Sequence, residues 1–178
     1  ALPICSRLVL VDKQLELAAG EALDLEHAEA FTGHPMSVHA GGLEAAAESD
    51  VIVVTCSVPW RQGLETRFAI AADNAEIFRE IIPPLAAGSP EACLLIVSNP
   101  VDVMTFLALQ LSGFPPNRVF GTGTLLDSAR FRTMLSADMG IHPDDLRAYI
   151  LGEHGDTQFP VFSSAVAGGT RIVEDEST

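Results

Sequence analysis

Basic side chains are scarce in this 178-residue chain: ten Lys and Arg stand against twenty-four Asp and Glu, for a formal net charge of −14. Phosphate backbones are gripped by clustered Lys and Arg, so the balance argues against a nucleic-acid partner. It equally leaves nothing from which to build a basic membrane-binding face. Cysteine is sparse too. Cys5, Cys56 and Cys93 lie far apart, in or beside apolar runs, without Cys-x-x-Cys spacing. Such a set reads as reduced core cysteines, hence a cytoplasmic protein. No metal site is expected, because His34, His39 and His142 have no carboxylate or cysteine at ligand spacing. Long apolar runs are missing as well: the run over residues 92–97 falls far short of the roughly 20 residues that span a bilayer. No charged start followed by an apolar run marks a signal peptide. What is present, 48% hydrophobic and 19% charged residues, suffices for one packed domain, or one and part of another.

The apolar residues follow two alternating periods. Arg7–Val11 and residues 51–56 and 94–97 are short, rich in Val, Ile and Leu, and end in polar or turn residues, as strands buried on both faces of a parallel sheet do. Residues 36–40, 118–121 and 148–151 are weaker strand candidates. Between them, residues 15–30 carry Leu15, Ala18, Ala22, Leu25 and Ala28 at helical spacing. From Thr66 a second stripe, Phe68, Ala71, Ala75, Phe78 and Ile82, runs up to Pro83-Pro84, where the helix should stop. Pro100 sits where a third helix would begin, ahead of residues 103–111, and residues 127–139 predict a fourth. Strands alternating with helices imply right-handed crossovers and an α/β, doubly wound parallel sheet. Ligands of such sheets lie at the carboxyl ends of the strands.

Several residues at those ends carry chemistry. Asp12, closing the first strand, can accept from both hydroxyls of an adenine ribose and repel a 2′-phosphate; a helix N-cap accounts for it equally well. Ser98-Asn99-Pro100 joins a strand to a helix, with Asn offering donor and acceptor together, or is a plain turn. His154, in Gly152-Glu-His-Gly-Asp156, follows an apolar run and sits between glycines that permit close backbone approach. It can donate or accept a proton near neutrality, yet a lone His is more often structural. Asp127 and Arg130, three apart in Leu126-Asp-Ser-Ala-Arg-Phe-Arg132, share a helix face. Asp127 could orient His154, and Arg130 could grip a carboxylate with two parallel bonds. An ion pair on a solvated face explains the same spacing. Arg67 follows a turn-prone segment that could fold over a ligand or be a surface loop.

Taken together these blocks resemble the L-lactate/L-malate dehydrogenase family. The matching segments are Leu8 to Asp12, Gly20 to Ala28, Val51 to Thr55, Glu65-Thr-Arg67, Asn74 to Pro83, Val97-Ser-Asn-Pro-Val-Asp102, Gly121-Thr-Gly-Thr124, Leu126 to Arg132 and Gly152 to Asp156, in family order over nearly the whole chain. The resemblance implies a Rossmann-type NAD-binding domain over residues 1–121 and the start of an α+β catalytic domain over 122–178. It implies an NAD-dependent enzyme interconverting a small L-2-hydroxy acid and its 2-oxo acid, with His154 as acid/base and Asp127 as its charge partner. Arg130 would bind the substrate carboxylate, and Arg67 would polarise the carbonyl. Asn99 would touch substrate and nicotinamide ribose. Ser57, Val58, Asn74 and Thr122 would contact NAD, and Asp12 would select it over NADP. The helix from Gly20 to Ala28, which includes His27, resembles the family's main subunit contact, implying a homodimer or homotetramer.

Three departures stand out. The family opens with a strand and a Gly-x-Gly-x-x-Gly turn that cradles pyrophosphate; here the first glycine is Gly20, beyond Asp12, so that element is expected to be lacking. Family members also continue past Thr178, so the chain reads as incomplete at both ends. A catalytically inactive relative acting as a binding protein is therefore the reading from another class. Lastly, lactate enzymes carry Gln and malate enzymes Arg at one loop position, but Val58 to Arg67 is one residue longer than either pattern. Counting from the strand puts Trp60 there, favouring lactate/pyruvate; counting back from Arg67 puts Arg61 there, favouring L-malate/oxaloacetate. The Gly121 to Thr124 turn looks more like lactate enzymes. Arg132 and Arg147 lie where some bacterial lactate dehydrogenases bind a sugar phosphate between subunits, or form an ordinary interface ion pair.

Overall fold

The computed structural model describes residues 5–32, 35–59 and 70–172. The short apolar runs become parallel strands. β1 (Arg7–Val11) leads through α1 (Leu15–Thr32) to β2 (Ser37–Gly41), and the two strands pair in register from Arg7 with Ser37 to Val11 with Gly41. β3 (Val51–Val54), β4 (Cys93–Ile96) and β5 (Val119–Gly121) form a second parallel ladder in that order, linked by α2 (Ala71–Gly88) and α3 (Val101–Ser112). This is the Rossmann-type α/β arrangement, divided into two ladders that are not hydrogen-bonded to each other. Among the described residues no helix is long and apolar enough to cross a membrane.

Burial explains where the core lies. Ile52, Val54, Leu94, Ile96 and Val119 point from the sheet into Phe78, Ile82 and Leu85 of α2 and Val101, Met104 and Ala108 of α3. The other face is not covered as the sequence led us to expect: Val51 and Val53 are 57% and 52% exposed, so β3 alternates instead of being buried on both sides. The helix α1 differs as well. Its alanines Ala18 and Ala22 are buried, whereas Leu15, Leu17, Leu23 and Leu25 stand exposed among acidic residues, so the expected stripe is buried only at its alanines.

The predicted stop at Pro83-Pro84 is overridden, and α2 continues to Gly88. Prolines there remove the bonds to the carbonyls of Arg79 and Glu80, a loss of about 3 kcal/mol or more in a helix interior. All four residues face solvent, so water can serve those carbonyls. The next residues, Leu85 and Ala86, drive back into the core. Their burial carries the helix past the prolines.

After β5, α4 (Leu125–Met139) introduces short antiparallel pairings instead of parallel ones. The expected strand over residues 148–151 is reduced to β7 (Ile150–Leu151), with a separate short strand, β6 (Leu146–Arg147), ahead of it. β7 pairs with β8 (Phe159–Pro160), while β6 pairs with β9 (Val166–Ala167), which pairs in turn with β10 (Thr170–Arg171). β6 and β7 both pack against α4.

Because Phe78 is wholly buried between sheet and α3, Phe78→Ala should cost about 3–5 kcal/mol of stability, read as a lowered urea midpoint for the full chain.

Candidate active site

The carboxyl ends of the parallel strands are tied together by polar side chains. Asn74, in the first turn of α2, is fully buried. Its carbonyl oxygen accepts from Val58 N–H at 2.8 Å, and its amide donates to Asn99 O at 2.8 Å and to Ser57 Oγ at 3.1 Å. One side chain thus fixes the turn after β3 against the turn after β4. Ser98 reinforces the link, donating from Oγ to the Cys56 carbonyl at 2.6 Å. After β5, Thr122 N–H donates to Ile96 O at 3.0 Å. Of the expected cofactor residues, Ser57, Val58, Asn74 and Asn99 are brought into one bonded cluster.

Asp12 occupies the end of β1 and accepts from Gln14 N–H at 2.8 Å, just ahead of α1. It is therefore a turn residue, which leaves its ribose role compatible but separate. Its charge reaches Cys56. Burial raises the Cys56 thiol above its ordinary pKa, a Ser98 hydrogen bond opposes the rise, and the Asp12 carboxylate adds to it.

Asn99 carries the one buried side-chain polar atom without a hydrogen-bond partner among the described residues, its Oδ1. An orphaned buried acceptor costs free energy unless something donates to it. A ligand hydroxyl at the end of β4 would do so. Pro100 follows through a cis peptide and caps α3 rather than entering it as the first helical residue.

His154 approaches from the other part of the chain. Its Nδ1 lies 2.6 Å from Asp127 Oδ2, with the two side chains only 15% and 10% exposed. An ionised carboxylate can only accept, so Nδ1 donates to it and Nε2 is the ring nitrogen whose chemistry could include gaining or losing a proton. The backbone N–H of His154 donates to Asp102 Oδ2 at 2.9 Å, bridging to the first turn of α3. The expected Asp127–Arg130 pair is present but long, 3.8 Å, with Arg130 at 66% exposure. Such a pair is weak.

Sequence reasoning missed the residues that aim this loop. Ser128 is buried in the first turn of α4, accepts from Ile150 N–H at 2.9 Å and donates back to Ile150 O at 3.3 Å. Thr124 donates to the same carbonyl at 2.6 Å. β7 is thereby fastened beside Asp127, two residues before Gly152. Gly152 has φ +101°, and an added Cβ would lie 3.1 Å from Thr157 O, so the turn requires glycine. Ser128 lies within the Leu126 to Arg132 segment, yet a helical serine gives no sequence signal of such a bond.

The proposed loop residues Trp60, Arg61 and Arg67 lie outside the described residues. Arg132 donates to Ala148 O at 3.3 Å. Arg147 shares a shallow groove with Asp144 and Asp145, surroundings that disfavour an anion.

Comparison with known proteins matches this geometry to a family. A profile described as lactate/malate dehydrogenase, NAD binding domain, matches residues 1–121, and one described as lactate/malate dehydrogenase, alpha/beta C-terminal domain, matches residues 124–177. The L-lactate dehydrogenase of Gloeobacter violaceus is 46% identical over 169 residues, 95% of this chain and 51% of that protein. That of Thermus aquaticus is 44% identical, over 95% of this chain and 54% of its own length. The solved structure of the minor L-lactate dehydrogenase from Enterococcus mundtii superposes with a TM-score of 0.89 at 37% identity, covering 94% of this chain and 53% of that one. The chain spans about half the length of the curated relatives it matches.

Two outcomes test the site geometry. Gly152→Ala should destabilise the His154 turn by about 1–3 kcal/mol, seen as a lower melting temperature. With its pKa raised, Cys56 holds less thiolate at a given pH, so at pH 8 iodoacetamide should label it more slowly in folded chain than in urea.

Proposed function

The chain belongs to the lactate/malate dehydrogenase family, and from that premise we propose that it carries the cofactor half and the proton-transfer residue of an NAD-dependent enzyme interconverting L-lactate and pyruvate. The observation that carries this reading is the 2.6 Å contact between His154 Nδ1 and Asp127. It sits on a loop bonded to the same helix turn that follows Asn99. A histidine so held presents its other nitrogen to a substrate oxygen and can return the proton in the reverse direction.

The residues present fit the cofactor. Asp12 would accept from the adenine ribose hydroxyls, Ser57, Val58 and Thr122 would line the strand ends, and the orphaned Asn99 Oδ1 would take a ribose or substrate hydroxyl. We assign Asn74, whose amide is spent on protein partners, to bracing these turns rather than to direct contact. When bound there, NAD supplies the hydride acceptor or donor. The protein's own part is to place groups: His154 moves the proton, Asp127 balances its charge, and Arg130 holds the substrate carboxylate. By the family resemblance Arg67 would polarise the carbonyl and Trp60 or Arg61 would read the substrate's far end. Relatives named L-lactate dehydrogenase favour lactate over malate.

We divide the chain into an NAD-binding part over residues 1–121 and the start of a catalytic part over 122–178. A second copy of the chain would cover the exposed leucines of α1, giving a homodimer or homotetramer. The scattered, unbridged cysteines favour the cytoplasm.

Steady-state rates in the full chain should be higher with pyruvate than with oxaloacetate; similar rates would sink the narrow assignment. His154→Asn and Asp127→Asn should each lower kcat at least about 100-fold. Arg130→Lys should instead act mainly on KM for pyruvate, because an ammonium cannot reproduce the two parallel bonds.

A further inference from the structure

Asp102 has no part in the reaction described above, yet its carboxylate reaches a residue 52 positions away in sequence. Its Oδ2 accepts the backbone N–H of His154 at 2.9 Å. We propose that Asp102 is a positioning residue that fixes the His154 loop and locks it to the Asn99 turn; the proposal rests on the reading of His154 as the proton-transfer group.

The argument starts from what holds the loop on each side of its hinge. Up to Ile150 the chain is fastened to α4 by Ser128 and Thr124. Beyond it comes Gly152, whose φ of +101° marks a backbone that only glycine adopts freely. The bonds at Ile150 hold the near side of that turn to α4 and make no link to α3. Within the loop, Gly155 N–H bonds to Glu153 O and Thr157 Oγ1 bonds to Glu153 Oε2, which shapes the turn without anchoring it. The β7–β8 pairing closes the loop at its base, and Asp102 ties its tip to α3.

The two carboxylates do different work. Asp127 meets the ring and sets its tilt and tautomer, while Asp102 meets the backbone and sets where the ring's Cα stands. Neither bond alone defines the direction of Nε2. A carboxylate is suited to this task because a charge-assisted bond is shorter and stronger than one to a neutral acceptor. It also gains from the first turn of α3, where the helix dipole favours an anion. No side-chain bond caps that helix, so capping does not account for the acid. Asn99 lies three residues upstream, so the turn that presents the unpartnered Oδ1 also carries the anchor. Ligand contact at Asn99 and proton delivery at His154 are thereby held in one frame.

The test uses Asp102→Ala and Asp102→Asn in the full chain with pyruvate and NADH. The alanine variant should lose about 10- to 100-fold in kcat, as a misplaced catalytic group does, with KM for pyruvate and the Kd for NADH changed less than about twofold. The asparagine variant keeps an acceptor oxygen and should recover most of the loss. A second arm does not depend on turnover: diethyl pyrocarbonate should modify His154 at least about fivefold faster in Asp102→Ala than in wild type, with Asp102→Asn in between. An alanine variant with wild-type kcat and wild-type His154 reactivity overturns the proposal, as does a loss that asparagine fails to relieve. If wild-type enzyme does not reduce pyruvate, the lactate reading falls, and the modification arm alone decides whether Asp102 holds the loop.

Discussion

The contact between Asp127 and His154 is the constraint around which the second part of the chain is arranged. Both side chains are largely withdrawn from water, and a buried carboxylate left without a partner is strongly destabilising. The pair therefore has to form whenever the chain folds, and the fold must deliver its halves to within hydrogen-bond range. α4 presents Asp127 from its first turn, where the dipole favours an anion. Ser128, the next residue, binds both the N–H and the carbonyl of Ile150. The neighbour of Asp127 thus sets the register of the strand that leads to His154.

The first part of the chain solves a similar problem with neutral groups. Turns at the carboxyl ends of parallel strands have backbone groups that the ladder no longer satisfies. Asn74 and Ser98 answer them from inside, joining the turns after β3 and β4 into one unit. What is left over is informative: Asn99 Oδ1 stays buried and unpartnered. Groups braced in this way need little reorganisation when a ligand arrives, which is how a site lowers a barrier without moving.

Sequence reading reached the main strands, the helices and the pairing of His154 with Asp127, because period and residue chemistry are local signals. It failed where packing across the fold decides. Nothing in Pro83-Pro84 tells which way those prolines face, and solvent exposure is what lets α2 run on. Leu15 and Leu25 fit a buried stripe by spacing, but alanines make the close contact and the leucines face outward. Asp102 looks like any acid at a helix start, and only the folded chain brings it to His154. The bonds by which Asn74 joins the turns after β3 and β4 likewise leave no mark in its sequence surroundings.

Charge poses the last physical question, since a chain of net charge −14 is proposed to take an anionic substrate. At physiological ionic strength fields fade within about 8 Å, so distant carboxylates have little say in a contact at the site. The local balance decides instead. Arg130 offers five N–H donors in a fixed fork, and its contact with Asp127 is long and exposed. Asp127 gives its shorter contact to His154. The guanidinium is thus drawn toward the site by a carboxylate that does not consume it, and its remaining donors match the two oxygens of a small acid. Scarce basic residues are then no obstacle to the proposed binding of a 2-oxo acid, which would rest on where one arginine stands rather than on how many there are.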